Sequence, residues 1–427
     1  MSIASLLERR EKLLGPGNPL FYDNPLHLVR GAGVWLYDAD GRRYLDCYNN
    51  VPCVGHCHPH VVEAICRQSG QLNTHTRYLH ENILDYAERL LGKFDASLNR
   101  LMLACTGSEA NDLALRLARF NSGGAGFICT NATYHGNTAA VTQLNSIFAP
   151  FEGYGRNIRM VPWPDSYRAL RDLAGDVLSD AYADTVREAI ESFLKDGIKF
   201  AGLLVCPIFA NEGLPNVPPG YMEKAIAHVR AAGGLYVADE VQAGFGRTGQ
   251  WWGHTQSGVI PDIVTLGKPM GNGHPISGVV ARGELIERFR RSEMYFNTFA
   301  GNPVSCAAGL AVLDVIEQEN LVENAATVGE YVLQGFRNLQ SKHEIIGDVR
   351  GSGLFFGIDL VTNRAAKTPA VAETRQVVNR MRDRGILMGN IGEHGNVLKL
   401  RPPLPFSAEN ADLLMSTLDD VLGSLHG

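Results

Sequence analysis

Two residues, Asp239 and Lys268, carry the chemistry that this sequence encodes most clearly, because each ends an apolar run. A carboxylate at the end of a strand can keep a pyridine nitrogen protonated, and a lysine at the end of the next strand can form a Schiff base with an aldehyde. Either residue alone is weak evidence, since such an aspartate is more often a helix cap and a lysine is more often a surface charge. Together they predict a pyridoxal phosphate site in which both residues are catalytic.

A turn before a predicted helix provides a place for the phosphate of this cofactor. The apolar run 101–104 leads into Thr106, Gly107 and Ser108, and the residues after them repeat apolar positions with a helical period. The backbone N–H groups of Gly107 and Ser108, together with the helix dipole, can bind an anion there. The alternative is an ordinary helix N-cap formed by Thr106 or Ser108.

Seven short apolar runs alternate with helical patterns, which is typical of a mostly parallel sheet covered by helices. The runs are 101–104, 127–129, 158–161, 203–206, 235–238, 263–266 and 278–281. Ligands of such sheets bind at the carboxyl ends of the strands, where Gly107, Tyr134, Asp239 and Lys268 all fall. The ring of Tyr134 can stack on a pyridine there; the alternative is a half-buried loop tyrosine.

The C-terminal part of the chain has a different pattern from the central part. It has a strand-like run, a helix, a second strand and a closing helix, at 353–360, 371–384, around Lys399 and from about Ser407. We therefore predict an α/β protein whose large domain, residues 61–315, contains the mostly parallel central sheet. A smaller α+β domain, residues 316–427, is joined by the N-terminal segment, residues 1–60.

Composition limits the possible partners. The chain has 427 residues, 45% of them hydrophobic, and this is enough for two domains with a substantial core. The net charge of −6 gives no general attraction to nucleic acid or to an anionic membrane. Eight scattered cysteines and the lack of a secretory or membrane-spanning apolar segment favour the cytoplasm. No metal is predicted, because the cysteines and histidines at positions 53–58 lack the spacing of a zinc site.

Two glycine patterns resemble nucleotide-binding motifs but lack the required context. Gly244–Gly249 has the G-x-G-x-x-G spacing, but no amphipathic helix follows it, so we predict a flexible loop. Lys268 follows a glycine as in a P-loop, but Asp262 stands where the first glycine of that motif belongs and Pro269 where a Ser or Thr belongs. Nucleotide binding is therefore not predicted.

Several motifs, spread over nearly the whole chain, resemble the class III aminotransferase family, whose members have the pyridoxal-phosphate-dependent transferase fold type I. They are Gly107–Asn111, Tyr134–Gly136, Asp239–Gln242, Lys268 and Asn297–Pro303. Further segments are similar to the phospho-lyase branch of this family, at 44–51, 55–59, 267–275 and 295–298. That branch, with its ethanolamine-phosphate and phosphohydroxylysine phospho-lyases, performs elimination and not transamination.

The resemblance implies a cofactor-contacting set formed by Gly107, Ser108, Tyr134, Asp239, Val241, Gln242, Lys268 and Thr298. In this set Tyr134 and Val241 flank the ring, and Gln242 approaches the phenolic oxygen. Tyr134 is predicted to be catalytic together with Lys268 and Asp239. Thr298 matches the family threonine that reaches the cofactor phosphate from the partner subunit. The resemblance therefore implies a homodimer with shared active sites, and such dimers can pair into tetramers.

Two positions depart from the transaminase pattern. Many ω-amine transaminases have a glutamate that masks an arginine, and Asn211 and Lys399 stand at the matching positions, although Arg401 can serve in place of Lys399. This departure favours a phospho-lyase acting on a phosphorylated primary amine, ethanolamine phosphate first, over the alternative, an ω-amine:2-oxo acid transaminase. Arg77, whose guanidinium can bind phosphate bidentately, and Asn50 are the predicted contacts to the substrate phosphate. For Arg77 the alternative is an ordinary surface arginine.

Overall fold

The computed structural model describes residues 2–425, which form three β-sheets and the helices that cover them. The strands are β1 (Leu28–Ala32), β2 (Trp35–Asp38), β3 (Arg43–Asp46), β4 (Arg100–Ala104), β5 (Gly126–Thr130), β6 (Ile158–Val161), β7 (Phe200–Val205), β8 (Leu235–Asp239), β9 (Ile263–Leu266), β10 (Ser277–Ala281), β11 (Ile346–Ser352), β12 (Phe355–Asn363), β13 (Thr368–Pro369), β14 (Ile386–Leu387), β15 (Gly389–Ile391) and β16 (Val397–Leu400). The helices are α1 (Ile3–Leu14), α2 (Pro59–Ser69), α3 (Glu81–Leu91), α4 (Gly107–Ser122), α5 (Ala139–Thr142), α6 (Gly175–Lys195), α7 (Tyr221–Ala231), α8 (Gly283–Ser292), α9 (Pro303–Gln318), α10 (Leu321–Lys342), α11 (Val371–Asp383) and α12 (Ala408–Gly423).

The central sheet has seven strands in the order β4-β10-β9-β8-β7-β5-β6. Each of the seven apolar runs found in the sequence coincides with one of these strands, although the run 203–206 extends one residue past the end of β7. The predicted α/β architecture with a mostly parallel sheet is confirmed. Strand β10 is the exception, because it pairs antiparallel with both β4 and β9. Its short connection from β9, residues 267–276, cannot contain the crossover helix that a parallel neighbour requires. Strand β10 therefore runs opposite to the other six strands of the sheet.

Side chains on β8 show how the central sheet is buried on both faces. Tyr236 and Ala238 pack into the core with helices α6 and α7, whereas Val237 packs into a second core with α4 and α8. This alternation follows from the two-residue period of a strand, and apolar residues are needed at every position because helices cover both faces. The carboxyl edge of the sheet is thus held rigidly from two sides.

The two smaller sheets connect the N-terminal and C-terminal parts of the chain. Strands β1, β2 and β3 form a four-stranded sheet with β14, in which Leu45 pairs with Ile386 in parallel. The other sheet contains β11, β12, β16 and β15, with β13 paired to β12. The N-terminal strands therefore pair with a C-terminal strand, while the domain boundaries at residues 60 and 315 stay a prediction.

The loop Gly244–Gly249 corrects one expectation from the sequence. It was predicted to be flexible, but Phe245, Arg247 and Thr248 are 1%, 2% and 4% exposed. The positive φ angles of Gly246 and Gly249, 83° and 77°, let the backbone fold back on itself in a conformation that other residues rarely adopt. The glycines therefore serve tight packing and not mobility.

A buried cluster of charges joins the central sheet to the five-stranded sheet. The Asp359 carboxylate on β12 accepts hydrogen bonds from Arg168, which follows β6, and from Arg350 on β11. Asp348 on β11 accepts a hydrogen bond of 3.3 Å from Arg350. Burial raises the pKa of Asp348 to about 6; Arg350 opposes the increase, and the charges of Asp165 and Asp359 add to it. The ionised form of Asp348 is therefore energetically unfavourable within this cluster.

We expect Asp348→Asn to stabilise the protein at about pH 8 and to have no effect at about pH 4. The folded protein binds a proton at Asp348 below about pH 6, whereas the unfolded chain binds it only below about pH 4. Between these values the folded state holds more protons, so this group makes stability fall as the pH rises through the window. Urea unfolding should give a gain of about 1 to 3 kcal/mol at the higher pH. The same difference at both pH values would contradict this account.

Candidate active site

A cavity lies at the carboxyl edge of the central sheet, where the ends of five strands meet. It is lined by Gly107, Ser108, Tyr134, His135, Gly136, Cys206, Asn211, Asp239, Val241, Gln242 and Lys268. Seven of the eight residues that the sequence assigned to the cofactor are in this set, and the eighth, Thr298, is not. The structure therefore brings seven predicted residues together, while their individual roles stay predictions.

Lys268 is the first residue of a helical turn, Lys268–Gly271, that follows β9. Burial lowers the pKa of Lys268, the nearby charge of Arg401 lowers it further, and Asp239 opposes both. A lower pKa leaves a larger fraction of the amine neutral, which is the form that attacks an aldehyde and accepts a proton. The preceding Gly267 passes close to Gly107, where an added Cβ would lie 3.3 Å from the Gly107 Cα. This close approach sets the lysine beside the start of α4.

Asp239 ends β8 with its carboxylate held by several donors. Its Oδ2 accepts hydrogen bonds from His135 Nδ1 at 2.7 Å and from Asn111 Nδ2 at 3.0 Å, and its Oδ1 accepts one from Val241 N at 3.1 Å. Burial alone would raise the pKa of Asp239, but the hydrogen bond and charge of His135 and the hydrogen bond of Asn111 outweigh it and lower that pKa. Asp239 is therefore ionised, as a partner of a protonated pyridine nitrogen must be.

The two side chains that hold Asp239 are themselves fixed. His135 Nε2 lies 2.8 Å from Thr133 Oγ1, and Asn111 Oδ1 accepts a hydrogen bond of 2.7 Å from Thr265 Oγ1. The sequence reasoning named neither His135 nor Asn111 as functional. The available signals were a histidine directly after Tyr134 and a polar residue on the apolar face of α4, and both become meaningful only once the strand ends are brought together.

The N-terminus of α4 forms the anion-binding part of the cavity. The Thr106 side chain caps the helix by accepting a hydrogen bond of 3.2 Å from Glu109 N, so Gly107 and Ser108 are the first helical residues. The backbone N–H groups at such positions have no partner within the helix and favour an anion. Gly136 approaches this turn so closely that a Cβ would lie 2.6 Å from Ser108 Oγ. With Lys268 and an ionised Asp239, these residues fit pyridoxal phosphate.

Comparison with known proteins identifies the family. The sequence model of class III aminotransferases matches residues 21–422. The chain belongs to the class III aminotransferase family. The cofactor is therefore pyridoxal 5′-phosphate, on which this family depends.

Relatives within the class III family carry two kinds of name. The chain is 40% identical over 97% of its length to "Alanine--glyoxylate aminotransferase 2 homolog 2, mitochondrial" of Arabidopsis thaliana, covering 86% of that protein. It is 37% identical over 98% of its length to "Ethanolamine-phosphate phospho-lyase homolog 1" of Caenorhabditis elegans, covering 93% of that protein. A solved phospholyase from Arthrobacter in complex with phosphoethanolamine is 48% identical, with a TM-score of 0.95 and coverage of 98% of this chain and 99% of that one.

A second polar group lies beside the cavity of this class III protein, centred on Gln242. Lys399 Nζ donates hydrogen bonds to Gln242 Oε1 at 3.1 Å and to Asn211 Oδ1 at 3.3 Å. Arg401 donates to Gln242 Oε1 and, through Nε, to the carbonyl of Tyr48 at 2.7 Å. Both cations are buried, at 2% and 8% exposure, and within residues 2–425 neither forms an ion pair with a carboxylate.

Burial has a large electrostatic effect on these two cations. It lowers the pKa of Lys399 well below its ordinary value, and the charge of Arg401 adds to that effect. Burial also lowers the pKa of Arg401, although Tyr48 and the charge of Asp46 oppose the decrease. Buried charges without an opposite charge are unfavourable, and an anion bound beside them would offset the cost. Asn211 and Lys399 match the positions at which many ω-amine transaminases have a glutamate that masks an arginine, and here the two side chains are in contact.

Three predicted residues do not line the cavity formed by this chain. Thr298 and Arg77 are both exposed, and the Arg77 guanidinium lies over the ring of Phe296, 4.1 Å from its centroid. Asn50 is only 2% exposed, yet neither its Oδ1 nor its Nδ2 has a hydrogen-bond partner among the described residues. A buried amide left unpaired costs about 1 to 3 kcal/mol, so Asn50 is a group that a bound ligand or water would satisfy.

Within residues 2–425 no three His, Cys, Asp or Glu side chains form a group that could hold a metal ion. The described helices include none that is long and apolar enough to cross a membrane. His56, from the cysteine and histidine segment considered above, pairs with Asp46 at 2.7 Å instead.

We expect Lys268→Ala to abolish turnover while the protein still folds, because this lysine is predicted to be both the covalent anchor of the cofactor and the proton acceptor. Borohydride reduction of the wild-type holoenzyme should attach the cofactor to a single lysine, and peptide mass spectrometry should map it to Lys268. Lys399→Met is the matched control, since it removes another buried lysine near the cavity and should leave the labelling unchanged. A label on any other lysine would remove Lys268 from this role.

Proposed function

We propose that this protein is a phospho-lyase that eliminates phosphate from ethanolamine phosphate. With one water molecule, the reaction yields acetaldehyde, ammonia and inorganic phosphate. The observation that carries the proposal is the presence of Lys399 and Arg401 beside the Lys268 cavity, buried and without a carboxylate partner. The similarity to the Arthrobacter phospholyase and to the Caenorhabditis elegans phospho-lyase homologue supports it.

The contact between Asn211 and Lys399 is the feature that favours elimination. A glutamate at position 211 would pair with a cation at position 399, whereas the neutral amide of Asn211, 3.3 Å from Lys399 Nζ, offers no opposite charge. An elimination that expels a dianionic phosphate needs such uncompensated positive charge where negative charge develops. Arg401 adds a planar group that can bind two phosphate oxygens together.

The side chains of this protein would divide the reaction between them. Bound pyridoxal phosphate supplies an electron-poor ring that takes up negative charge from the substrate carbon. Asp239, ionised through His135 and Asn111, favours the protonated pyridine nitrogen. The Lys268 amine removes the proton from the carbon that bears the substrate nitrogen. Lys399 and Arg401 hold the phosphate as its C–O bond breaks.

Asn50 is the third residue that we propose for the substrate phosphate. Its backbone segment lies close to Arg401, which donates a hydrogen bond to the carbonyl of Tyr48. Because both polar atoms of its buried amide lack partners, a phosphate oxygen bound at Asn50 Nδ2 would remove part of that cost. The proposal for Arg77 requires a second subunit, because Arg77 lies outside the cavity of its own chain.

The second candidate is an ω-amine:2-oxo acid transaminase. It is favoured by the alanine–glyoxylate aminotransferase names of relatives such as the Arabidopsis thaliana protein. Arg401 could then bind the carboxylate of an oxo acid in place of a phosphate. The two candidates differ in whether the enzyme needs a second substrate to return to its starting state.

Phosphate release without an oxo acid distinguishes the two candidates. Holoenzyme incubated with ethanolamine phosphate alone should release phosphate and ammonia in equal amounts over many turnovers. A transaminase would convert no more than one equivalent per active site until a 2-oxo acid is added. Lys399→Met should lower kcat/KM for ethanolamine phosphate by about 100-fold, the scale for a lost charge-assisted contact in a buried site. Release that stops after one equivalent would contradict the proposed function.

We also propose a homodimer in which Arg77 and Thr298 reach the partner's cavity, and tetramers stay a prediction. Arg77 stacks on Phe296, two residues before Thr298, so both lie on one surface. That surface also exposes large apolar side chains: Tyr78 at 65%, Leu79 at 97%, Met294 at 78% and Phe299 at 73%. Apolar exposure of this extent is typical of a protein–protein interface. The cytoplasmic location likewise remains a proposal.

Mixing two inactive variants tests this arrangement. We expect Lys268→Ala and Arg77→Ala subunits, unfolded and refolded together, to regain activity on ethanolamine phosphate. In the mixed dimer one cavity then combines an intact Lys268 with an intact Arg77 from the partner. Each variant refolded alone is the control. If Arg77 acts on the cavity of its own chain, the mixture should show no more activity than the separate variants.

A further inference from the structure

The loop Gly244–Gly249 has the glycine spacing of a nucleotide-binding motif but takes no part in the site described above. It begins shortly after Gln242 and contains Arg247, whose side chain is almost fully buried at 2% exposure. This loop belongs to the chain segment that leaves the central sheet after Asp239. Its contacts include Gly353 and Leu354, which connect β11 to β12, and Pro402, which follows β16.

Arg247 joins two segments that flank strands of the five-stranded sheet, the turn between β11 and β12 and the residues after β16. Its Nη1 donates hydrogen bonds to the carbonyl of Leu354, at 3.0 Å, and to the carbonyl of Pro402. Its own carbonyl accepts a hydrogen bond of 3.0 Å from Leu354 N. Backbones approach so closely here that a Cβ on Gly353 would lie 2.4 Å from Gly249 N. The glycines of the motif therefore serve a tight contact between two backbones.

The bonds of Arg247 complete a closed ring with the active site. Pro402 directly follows Arg401, and Arg401 donates a hydrogen bond to Gln242 Oε1. Gln242 and Arg247 lie on one continuous segment, so the ring runs from Gln242 through Arg247, Pro402 and Arg401 back to Gln242. A shift of Pro402 would therefore move the Arg401 guanidinium relative to Gln242 and the cavity.

The burial of Arg247 is not explained by an ion pair. Its hydrogen-bond partners are the backbone carbonyls of Leu354 and Pro402, and within residues 2–425 no carboxylate binds its guanidinium. Burial lowers the pKa of Arg247 to about 10, and the positive charge of Arg401 contributes to the decrease. A buried cation is weak evidence for stability, because an apolar side chain of similar volume often serves as well. Its guanidinium is nevertheless well suited to bridge two carbonyls on different segments.

We propose that Arg247 is a positioning residue, which fixes the backbone at Pro402 and thereby holds Arg401 where it binds the substrate anion beside Lys268. This inference rests on the proposed function, in that it takes the anion bound beside Lys268 to be a phosphate. In this proposal the loop Gly244–Gly249 connects the central sheet to the five-stranded sheet. It also explains why the segment that carries Gln242 continues directly into the buried loop.

The test uses inorganic phosphate as the probe and the holoenzyme of each variant, with affinity measured by calorimetry. We expect Arg247→Gln to raise the Kd for phosphate about tenfold, because a displaced guanidinium loses its aligned hydrogen bonds. Arg247→Lys, which keeps a cationic donor without the planar fork, should recover part of the loss. The matched control is Arg168→Gln, which also breaks a contact between the two sheets, to Asp359, but lies outside the cavity.

The outcomes separate positioning from a general effect on folding. Arg247→Gln and Arg168→Gln should both lower the melting temperature, whereas only the first should lower phosphate affinity. Equal phosphate affinity in wild type and Arg247→Gln would overturn the inference. If Arg247→Gln yields no holoenzyme, Arg247→Lys decides in the same way, with wild-type affinity as the contradicting result. If the wild type itself does not bind phosphate, the proposed function fails together with the inference. If the wild type binds phosphate and Arg247→Gln binds it equally well, only the inference about Arg247 fails.

Discussion

Lys399 and Arg401 are buried beside the cofactor cavity with only neutral oxygens as partners, and the organisation of the site depends on this imbalance. Removing a cation from water without an opposite charge is costly, so the folded protein must either hold the lysine partly neutral or bind an anion there. The side chains around them, Gln242 and Asn211, supply oxygen atoms but no charge. A dianionic substrate would complete the site.

The cavity therefore has two electrostatically different ends. At one end Asp239 is fully satisfied by His135, Asn111 and a backbone N–H, which keeps it ionised and fixed in position. At the other end Lys399 and Arg401 donate hydrogen bonds only to neutral oxygens, so no carboxylate is paired with either cation. Lys268 is under the influence of both ends, since burial and the charge of Arg401 lower its pKa whereas Asp239 opposes the decrease. This arrangement suits a reaction in which a proton leaves carbon on one side and phosphate leaves on the other.

Much of the fold and of the cofactor site follows from local sequence patterns. The apolar runs and the helix start at Gly107 could be predicted because strand ends, turns and caps are determined by neighbouring residues. The contacts of His135, Asn111 and Arg247 could not, because each depends on residues that are distant in sequence. The prediction of a flexible loop at Gly244–Gly249 was wrong for the same reason, since Gly249 packs against Gly353 and Gly246 against Leu404. Predicted roles for Thr298 and Arg77 require a second subunit and stay predictions.

Proton uptake on anion binding tests the central claim most directly. Sulfate is the probe, because it remains a dianion over the working range of pH and does not itself exchange protons. Calorimetric titration of the holoenzyme at about pH 8, in buffers with different heats of ionisation, gives the number of protons bound with the anion. If Lys399 is a buried and partly neutral amine, sulfate should raise its pKa and bring uptake of up to about one proton per site, which Lys399→Met should abolish. Sulfate binding without proton uptake, or uptake unchanged in Lys399→Met, would contradict the account.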